Sequence, residues 1–221
     1  MSDDSFIREV NEELRQDQLR ALWRRYGTMA IAAAAFVILA TAAYVGYQYW
    51  TTARANQAGD AFARALDLME EGDAQGALAA FEALEVDGYG AYPVLARLGA
   101  AATLADSEPQ KAIARYDAVA QDSAVPGAIR DIARLRAAFL LLDHGSYDDV
   151  AARVEPLTAE GNAMRHSARE LLALAALKAG ERENALSLFE QILDDPQAPA
   201  GIRQRAEMMS ELIVGSGSAS G

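Results

Sequence analysis

The sequence predicts an all-α protein: one N-terminal transmembrane helix, then a solenoid of helical hairpins that ends in a C-terminal capping helix. Three observations lead to this prediction. Residues 26–53 form a stretch of 28 residues without a charged side chain. The rest of the chain repeats apolar residues at helical spacing, with Gly, Asp, Asn or Pro between the segments. No stretch alternates β-branched or aromatic residues with polar ones, as a half-buried strand would.

The chain begins with an amphipathic segment, which we expect to be a cytoplasmic juxtamembrane helix within residues 1–25. Ser5 or Asp4 is a suitable N-cap for this helix. Its apolar residues recur at helical spacing between charged ones; they are Phe6, Ile7, Val10, Leu14, Leu19, Leu22 and Trp23. Two roles stay open. The helix docks on a partner or at the membrane interface, or its arginines only anchor the topology.

The uncharged segment is predicted to be a transmembrane helix over residues 26–53, in contact with the lipid bilayer. Its residues 28–49 alone meet the requirement of about 20 apolar residues for crossing a hydrocarbon core. Aromatic residues suited to the headgroup level flank it on both sides; they are Trp23, Tyr26, Tyr44, Tyr47, Tyr49 and Trp50. A cleaved signal peptide is one alternative, but its apolar region is shorter and ends at small residues. A buried core helix is another, because alanine is only mildly apolar.

Small residues four positions apart within this segment would let two helices approach closely in lipid. They are Ala30 and Ala34, then Ala42 and Gly46. An alanine-rich segment also produces such pairs by chance, so a helix partner and a homo-oligomer are left open.

Arginines beside the uncharged segment predict its orientation. Residues 15–25 contain four Arg and one Asp, whereas residues 54–68 contain two Arg and two Asp. Basic residues next to a span favour the cytoplasmic side. We therefore expect a cytoplasmic N-terminus and a C-terminal domain across the membrane.

The charge of the C-terminal part excludes one class of partner. Residues 55–221 carry 14 basic and 26 acidic side chains, a net charge of −12. Nucleic-acid binding needs clustered Lys and Arg to neutralise phosphates, so we expect no nucleic-acid partner. Anionic lipid would also repel this domain. The chain has no cysteine, which excludes disulfides, thiolate metal sites and cysteine catalysis.

Paired helices with a repeated pattern follow the span in residues 54–214, and residues 215–221 read as a flexible tail. The predicted pairs are 56–71 with 75–86, 91–106 with 109–122, 128–143 with 147–160 and 164–179 with 182–195, followed by a capping helix at 199–214. Three second helices align as GALAAFEAL, KAIARYDAV and NALSLFEQI. Each contains a small residue, then an aromatic residue, then an aliphatic residue, and the third pair is a degenerate copy. These anchors are Ala77, Phe81 and Leu84; Ala112, Tyr116 and Val119; Val150, Val154 and Leu157; Ala185, Phe189 and Ile192.

The anchor spacings of 35, 38 and 35 residues resemble the tetratricopeptide repeat (TPR), whose period is 34. The best copy is KAGERENALSLFEQILDDPQAP. Four small residues in the first helices match the position where paired helices cross; they are Ala65, Ala100, Ala138 and Ala173. The Trp and Gly–Tyr of the usual first helix are missing, and the third repeat lacks its Ala and its aromatic residue.

The whole layout resembles a narrower family, the YfgM-like single-pass inner-membrane proteins. The resemblance rests on the lead FIREVNEELRQDQLRALWRRYG, the segment ending in GYQYW and the acidic repeat domain. It implies a protein of the cell inner membrane with a periplasmic TPR-like domain. It also implies an adaptor role as an ancillary subunit at the Sec translocon, with Sec subunits, periplasmic chaperones or exported proteins as partners. A structural scaffold for another envelope assembly, such as division or outer-membrane assembly, is the alternative.

No catalytic, cofactor-binding or metal site is predicted, and we expect a protein that is not an enzyme. Asp143, His144, Asp148 and Asp149 lie close in sequence, but they lack a second His or a Cys. Other acidic runs, including Asp194 and Asp195, are interpreted as solvated helix ends. The predicted functional surface is a partner-binding groove lined by the first helices. Its candidate residues are Phe62, Leu66, Met69, Arg97, Leu104, Leu135, Phe139, Leu142, Glu170 and Leu174.

Overall fold

The structure is a computed structural model that describes the backbone of residues 3–218 and the side chains of residues 20 and 22–215. Over this range it contains nine α-helices, one 3₁₀ helix and no β-strand. The helices are α1 (Asp3–Glu70), α2 (Ala74–Asp87), α3 (Tyr92–Thr103), α4 (Pro109–Gln121), α5 (Gly127–His144), α6 (Tyr147–Val154), the 3₁₀ helix Glu155–Leu157, α7 (Arg165–Lys178), α8 (Arg182–Leu193) and α9 (Ala200–Ser218). This confirms the all-α prediction. The chain divides into two compact units, Met1–Asn56 and Gln57–Gly221.

The first unit contains the apolar part of α1. Its most apolar window of 18 residues has a mean hydropathy of 2.1, and none of that window is buried. By length and composition α1 is long and apolar enough to cross a membrane. At the end of this segment the Arg54 guanidinium lies 4.5 Å from the centre of the Trp50 ring, and Tyr47 packs beside that ring. A cation on an aromatic face suits the boundary between lipid and water.

Residues 5–70 form one continuous helical backbone. The sequence had divided this part of the chain into a juxtamembrane helix, a transmembrane helix and the first repeat helix. This range contains no proline, and glycine occurs only at 27, 46 and 59. Nothing in it therefore stops helix propagation. The amphipathic face predicted for residues 5–25 falls mostly on side chains outside the described residues.

In the second unit, each helix from α2 onward packs against the next one along the chain, and α1 packs against α2 through Phe62 and Phe81. We call the C-terminal part of α1 together with α3, α5, α7 and α9 the first helices, and α2, α4, α6 and α8 the second helices. All twelve predicted anchors of the second helices are buried, with at most 6 % of any side chain exposed. The four predicted small residues of the first helices are fully buried as well. This confirms the helical repeat, because stacked pairs bury a continuous core that one pair alone cannot bury.

Two glycines make the turn between the helices of the first and last pairs. Gly72 and Gly180 have φ of +82° and +84°, a conformation that residues with a Cβ rarely adopt. At each turn the amide three residues beyond the helix donates to a carbonyl five residues earlier: Asp73 to Leu68 and Glu181 to Ala176. These bonds satisfy helix-terminal carbonyls that would otherwise lack partners.

The third pair departs from the others, since its second helix is short. The sequence predicted one helix over 147–160, and that boundary is wrong: α6 ends at Val154 and a 3₁₀ turn follows. Pro156 causes this change, because its ring clashes with the carbonyl four residues earlier in an α-helix. The beginning of α6 is fixed by a capping box, in which Ser146 and Asp149 each bond the other's backbone amide.

The connections α4–α5 and α8–α9 are built alike. Residues 122–130 read DSAVPGAIR and residues 195–203 read DPQAPAGIR. In each connection the Asp accepts a hydrogen bond at 2.9 Å from the amide two residues on. The other carboxylate oxygen of each Asp accepts a hydrogen bond from an arginine of the preceding first helix. Arg97 donates to Asp122, and Arg165 donates to Asp195. Both turns therefore tie a second helix to the first helix before it.

Helix α9 closes the stack on one side and is polar on the other. Ile202, Ala206, Met209 and Ile213 pack onto the core formed with α7 and α8. Glu207 and Glu211 are exposed on α9. Charge on this outer face disfavours the addition of another apolar helix pair, as expected of a cap. The helix extends to Ser218, four residues into the predicted tail, and residues 219–221 lie outside the described part.

Candidate functional site

Contacts between the first helices set the register of one face of the repeat domain. The Lys178 ammonium on α7 donates to the carbonyl oxygens of Leu142 and Asp143, at the C-terminal end of α5. A cation here also complements the negative end of the α5 dipole. Residues on the preceding turns of each helix consequently lie side by side. The turn of α5 that carries Phe139 is therefore the neighbour of the turn of α7 that carries Leu174.

A second contact extends this face to α9. The Arg205 guanidinium forms two hydrogen bonds with the Glu170 carboxylate, of 2.6 and 2.8 Å. Met208 and Leu212 follow Arg205 by three and seven residues and share its side of the helix. Leu174 follows Glu170 by one turn on α7. The side of α9 that carries Met208 and Leu212 therefore adjoins the side of α7 that carries Leu174.

The result is an apolar row across three neighbouring helices, which we call the apolar stripe. It consists of Leu135 and Phe139 on α5, Leu174 on α7, and Met208 and Leu212 on α9. Phe139 is 61 % exposed, Met208 55 % and Leu212 62 %, while Leu135 and Leu174 are partly buried against the core. Scattered apolar residues are normal on protein surfaces, but a contiguous set is typical of an interaction site.

A cavity of about 220 Å³ lies between α5, α6 and α7, about one helical turn beyond Phe139 and Leu174. Leu142 and Lys178, which set the register there, also line this cavity. Its other walls are mostly apolar and come from the α5–α6 turn, α6 and α7; they include Leu141, Tyr147, Val150 and Ala175. The cavity could accept one apolar side chain of a bound segment.

The structure brings together only part of the predicted groove. Leu135, Phe139, Leu142, Glu170 and Leu174 lie on or beside the apolar stripe. Leu104 is buried, and Phe62 and Met69 pack on the core between α1, α2 and α3, which we call the first core cluster. Arg97 is held by Asp122 at 2.6 Å, and Leu66 is exposed on α1. Whether any of these residues binds a partner stays a prediction. Met208 and Leu212 were missed because α9 was interpreted only as a cap.

A partly buried polar cluster was not predicted from the sequence either. Asp195 is only 19 % exposed, so its interpretation as a solvated helix end is wrong. Its carboxylate accepts a hydrogen bond of 3.0 Å from Arg165. The same carboxylate lies 2.8 Å from Nε2 of His166, which is 4 % exposed. These hydrogen bonds, chiefly that from Arg165, lower the pKa of Asp195 well below its usual range. The arrangement joins α7 to the α8–α9 connection and therefore supports the position of α9.

Beside this cluster lies an open cleft of about 780 Å³, lined by Arg165, Arg169 and Asp195 among others. Its arginines are engaged internally: Arg165 bonds Asp195 and Gln197, and Arg169 bonds the carbonyl of Thr158. Glu160 and Asp194 add negative charge to its walls. Within the described residues, no group of three or more His, Cys, Asp and Glu side chains is arranged to hold a metal ion.

One protein-family profile, described as a tetratricopeptide repeat-like domain, matches residues 20–195 of the chain. The match includes the apolar segment and the four helix pairs, and it ends before α9. The comparisons with curated proteins and with solved structures gave no significant match.

Proposed function

Because the chain belongs to the tetratricopeptide repeat-like domain family, we propose that it is a membrane-tethered adaptor that binds protein partners through the apolar stripe. Domains of this family are protein–protein interaction modules and are generally not catalytic. The observation that carries the proposal is the exposure of Phe139 on α5 and of Met208 and Leu212 on α9. Side chains of this size are normally buried in a domain with a well-packed core.

The candidate span on α1 gives the adaptor its mode of action. Tethering holds a binding surface near other membrane complexes at high effective concentration, so weak individual contacts suffice. We propose a single pass through the cell inner membrane, with a cytoplasmic N-terminus and a periplasmic repeat domain. The excess of Arg over Asp in residues 15–25 supports this orientation. Reporter fusions at the C-terminus test it, and cytoplasmic reporter activity would contradict it.

The identity of the complex that it serves is a narrower proposal. The resemblance to YfgM-like proteins supports an ancillary subunit at the Sec translocon that hands exported proteins to periplasmic chaperones. A scaffold for division or outer-membrane assembly has the same anchor and the same repeat domain.

Photocrosslinking in intact cells separates these functions. A photoreactive residue at Leu212 on the stripe is compared with one at Val86, which is 81 % exposed on α2 and outside the stripe. Crosslinks from position 212 to Sec subunits or periplasmic chaperones support the first function, and crosslinks to cell-wall or barrel-assembly factors support the scaffold. Equal crosslinking from both positions contradicts a binding site at the stripe.

A further inference from the structure

The two ends of the uncharged segment of α1 carry different numbers of positive charges. Within ten residues of it, Arg20, Arg24 and Arg25 lie on the N-terminal side and Arg54 lies on the C-terminal side. The Arg54 guanidinium lies 4.5 Å from the centre of the Trp50 ring. The excess of cations is therefore at the N-terminal end of the segment.

Arg24 and Arg25 have no acidic residue within helical reach. Side chains on a helix pair with residues three or four positions away, and the acidic residue nearest to either arginine is Asp17, seven positions before Arg24. In the repeat domain, by contrast, seven arginines lie within 4.0 Å of a carboxylate. Neighbouring residues of α1 therefore do not neutralise these two arginines. At a bilayer surface, the headgroups of anionic lipids supply such negative charge.

An aromatic ring lies on the same face of α1 as two of the arginines. Arg20, Trp23, Arg24 and Gly27 are at positions i, i+3, i+4 and i+7 of the helix, so they share one face, which we call the Trp23 face. Gly27 is buried, and a Cβ at this position would lie 3.3 Å from Cδ2 and Cε2 of the Trp23 ring. The indole therefore lies along the helix surface, over the beginning of the uncharged segment.

The place of this face in the sequence corresponds to the headgroup level of a bilayer. Arg24 and Arg25 are the last charged residues before 28 uncharged ones. Tryptophan and tyrosine rings prefer the boundary of the hydrocarbon core, and long arginine side chains near it extend toward the polar headgroups. The Arg25 guanidinium lies 5.7 Å from the centre of the Tyr26 ring. Cations and rings therefore occur together at the depth of the lipid phosphates.

We infer that the Trp23 face, together with Arg25, binds the headgroups of anionic phospholipids. The guanidinium groups donate hydrogen bonds to the phosphate, and the Trp23 ring packs on the glycerol and the upper acyl chain. Charge complementarity favours a lipid over a parallel second copy of α1, which would bring the same arginines together. This inference rests on one part of the proposed function, namely that α1 spans a bilayer.

The chain has two tryptophans, Trp23 and Trp50, so each end of the segment can be measured separately. Trp50→Phe leaves Trp23 as the reporter, and Trp23→Phe leaves Trp50. Each full-length variant is reconstituted in liposomes of equal amounts of phosphatidylglycerol and phosphatidylcholine, in which one lipid or the other carries bromine in its acyl chains. Brominated lipid quenches tryptophan fluorescence on contact, so the two quenching values show which lipid adjoins the ring. Both leaflets have the same composition, so the orientation of the chain does not affect the result.

We expect the preference for phosphatidylglycerol to be about three- to tenfold greater at Trp23 than at Trp50, since each arginine near the bilayer surface adds attraction for anionic lipid. R24Q/R25Q should reduce the preference at Trp23 to that at Trp50. R54Q, the matched control at the other end, should leave the preference at Trp23 unchanged. The preference should also shrink at a salt concentration of about 1 M, where the Debye length is about 3 Å. Equal preference at both tryptophans, or a preference at Trp23 that survives R24Q/R25Q or high salt, overturns the inference.

The quenching values also distinguish failure of this inference from failure of the proposed membrane tether. If both brominated lipids quench Trp23 equally, the ring lies in the bilayer and only the lipid preference fails. If neither lipid quenches Trp23 or Trp50, α1 does not enter the bilayer, and the inference and the tether both fail. Crosslinking from the apolar stripe tests protein binding independently of either result.

Discussion

The Arg205 guanidinium on α9 donates two hydrogen bonds, of 2.6 and 2.8 Å, to the Glu170 carboxylate on α7. The hydrogen bonds from the guanidinium to this carboxylate raise the pKa of Arg205 above its usual value, which indicates that the pair favours the charged arginine. The pair joins the last two first helices of the stack at the level of the apolar stripe. The stripe is thus continuous only while α9 stays docked.

Arg205→Ala should loosen α9 with little effect on the rest of the fold. Arg205 is 53 % exposed, and exposed ion pairs contribute less than about 1 kcal/mol to the free energy of unfolding. Hydrogen exchange should become faster in the amides of α9 and stay unchanged in α3. Arg182→Ala, at an exposed arginine of α8, is the matched control. Unchanged protection of α9 in R205A contradicts a docking role for this pair.

Truncation of two phenylalanines should change the stability of the domain by very different amounts. Phe189 is fully buried, whereas Phe139 is 61 % exposed. Phe189→Ala should lower the free energy of unfolding by about 3–5 kcal/mol, and Phe139→Ser should change it by less than about 0.5 kcal/mol. Denaturant titration of the full chain in detergent measures both. A large loss of stability in F139S would show that this ring is part of the core and not of a binding surface.

Gly99 should not tolerate a methyl group. A Cβ at this position would lie 2.6 Å from Cε1 of Phe81, a fully buried ring of the first core cluster. Gly99→Ala should therefore lower the free energy of unfolding by about 1–3 kcal/mol, although alanine favours helix elsewhere. Gly127→Ala is the control, because its Cβ would meet only the end of the Arg130 side chain at 3.8 Å. Equal stability of the two variants would contradict the close packing.

Asp195 should give the domain a specific sensitivity to acid. Hydrogen bonds hold the pKa of its carboxyl below the ordinary value of about 4. Its contribution to stability is therefore complete above pH 4 and is lost as the pH falls below 4 through the lowered pKa. Asp195→Asn should lower the melting temperature near neutral pH, and this difference from the wild type should narrow below pH 4. Asp194→Asn, at the exposed neighbour, is the control and should have little effect on the melting temperature at either pH. If the difference in melting temperature between D195N and the wild type does not vary with pH, the stabilising role of the Asp195 carboxylate is contradicted.

The repeat core could be predicted from the sequence because its signal is local. A small residue, an aromatic residue and an aliphatic residue at fixed helical spacing identify the buried side of each second helix. Even the degenerate set Val150, Val154 and Leu157 is buried, since apolar character at these positions matters more than the aromatic ring. Boundaries were predicted less well where one residue decides them. Pro156 ends α6 earlier than the sequence predicted. In α1, the absence of a proline allows one continuous helix where separate helices were predicted.

The α9 part of the apolar stripe and the Asp195 cluster could not be predicted, because they depend on contacts between residues about 30 to 70 positions apart. Exposure of Leu212 follows from the packing of α9 on α7, which periodicity alone does not reveal. From the sequence alone, Asp195 resembles a solvated helix end. Only the three-dimensional structure shows that Arg165 and His166 lie within hydrogen-bond distance of its carboxylate. One signal was present: the similarity of residues 122–130 to 195–203 indicates two equivalent turns with an Asp in the same role.

Quantitative co-purification from cells tests the central claim most directly. The full chain is compared with the double variant Phe139→Ser/Leu212→Ser and with Val86→Ser, which removes an exposed apolar side chain outside the stripe. Partner proteins are measured by mass spectrometry at equal recovery of the chain. The account predicts that the stripe variant loses its main protein partners while V86S retains them. Retention of the same partners by the stripe variant would contradict the account.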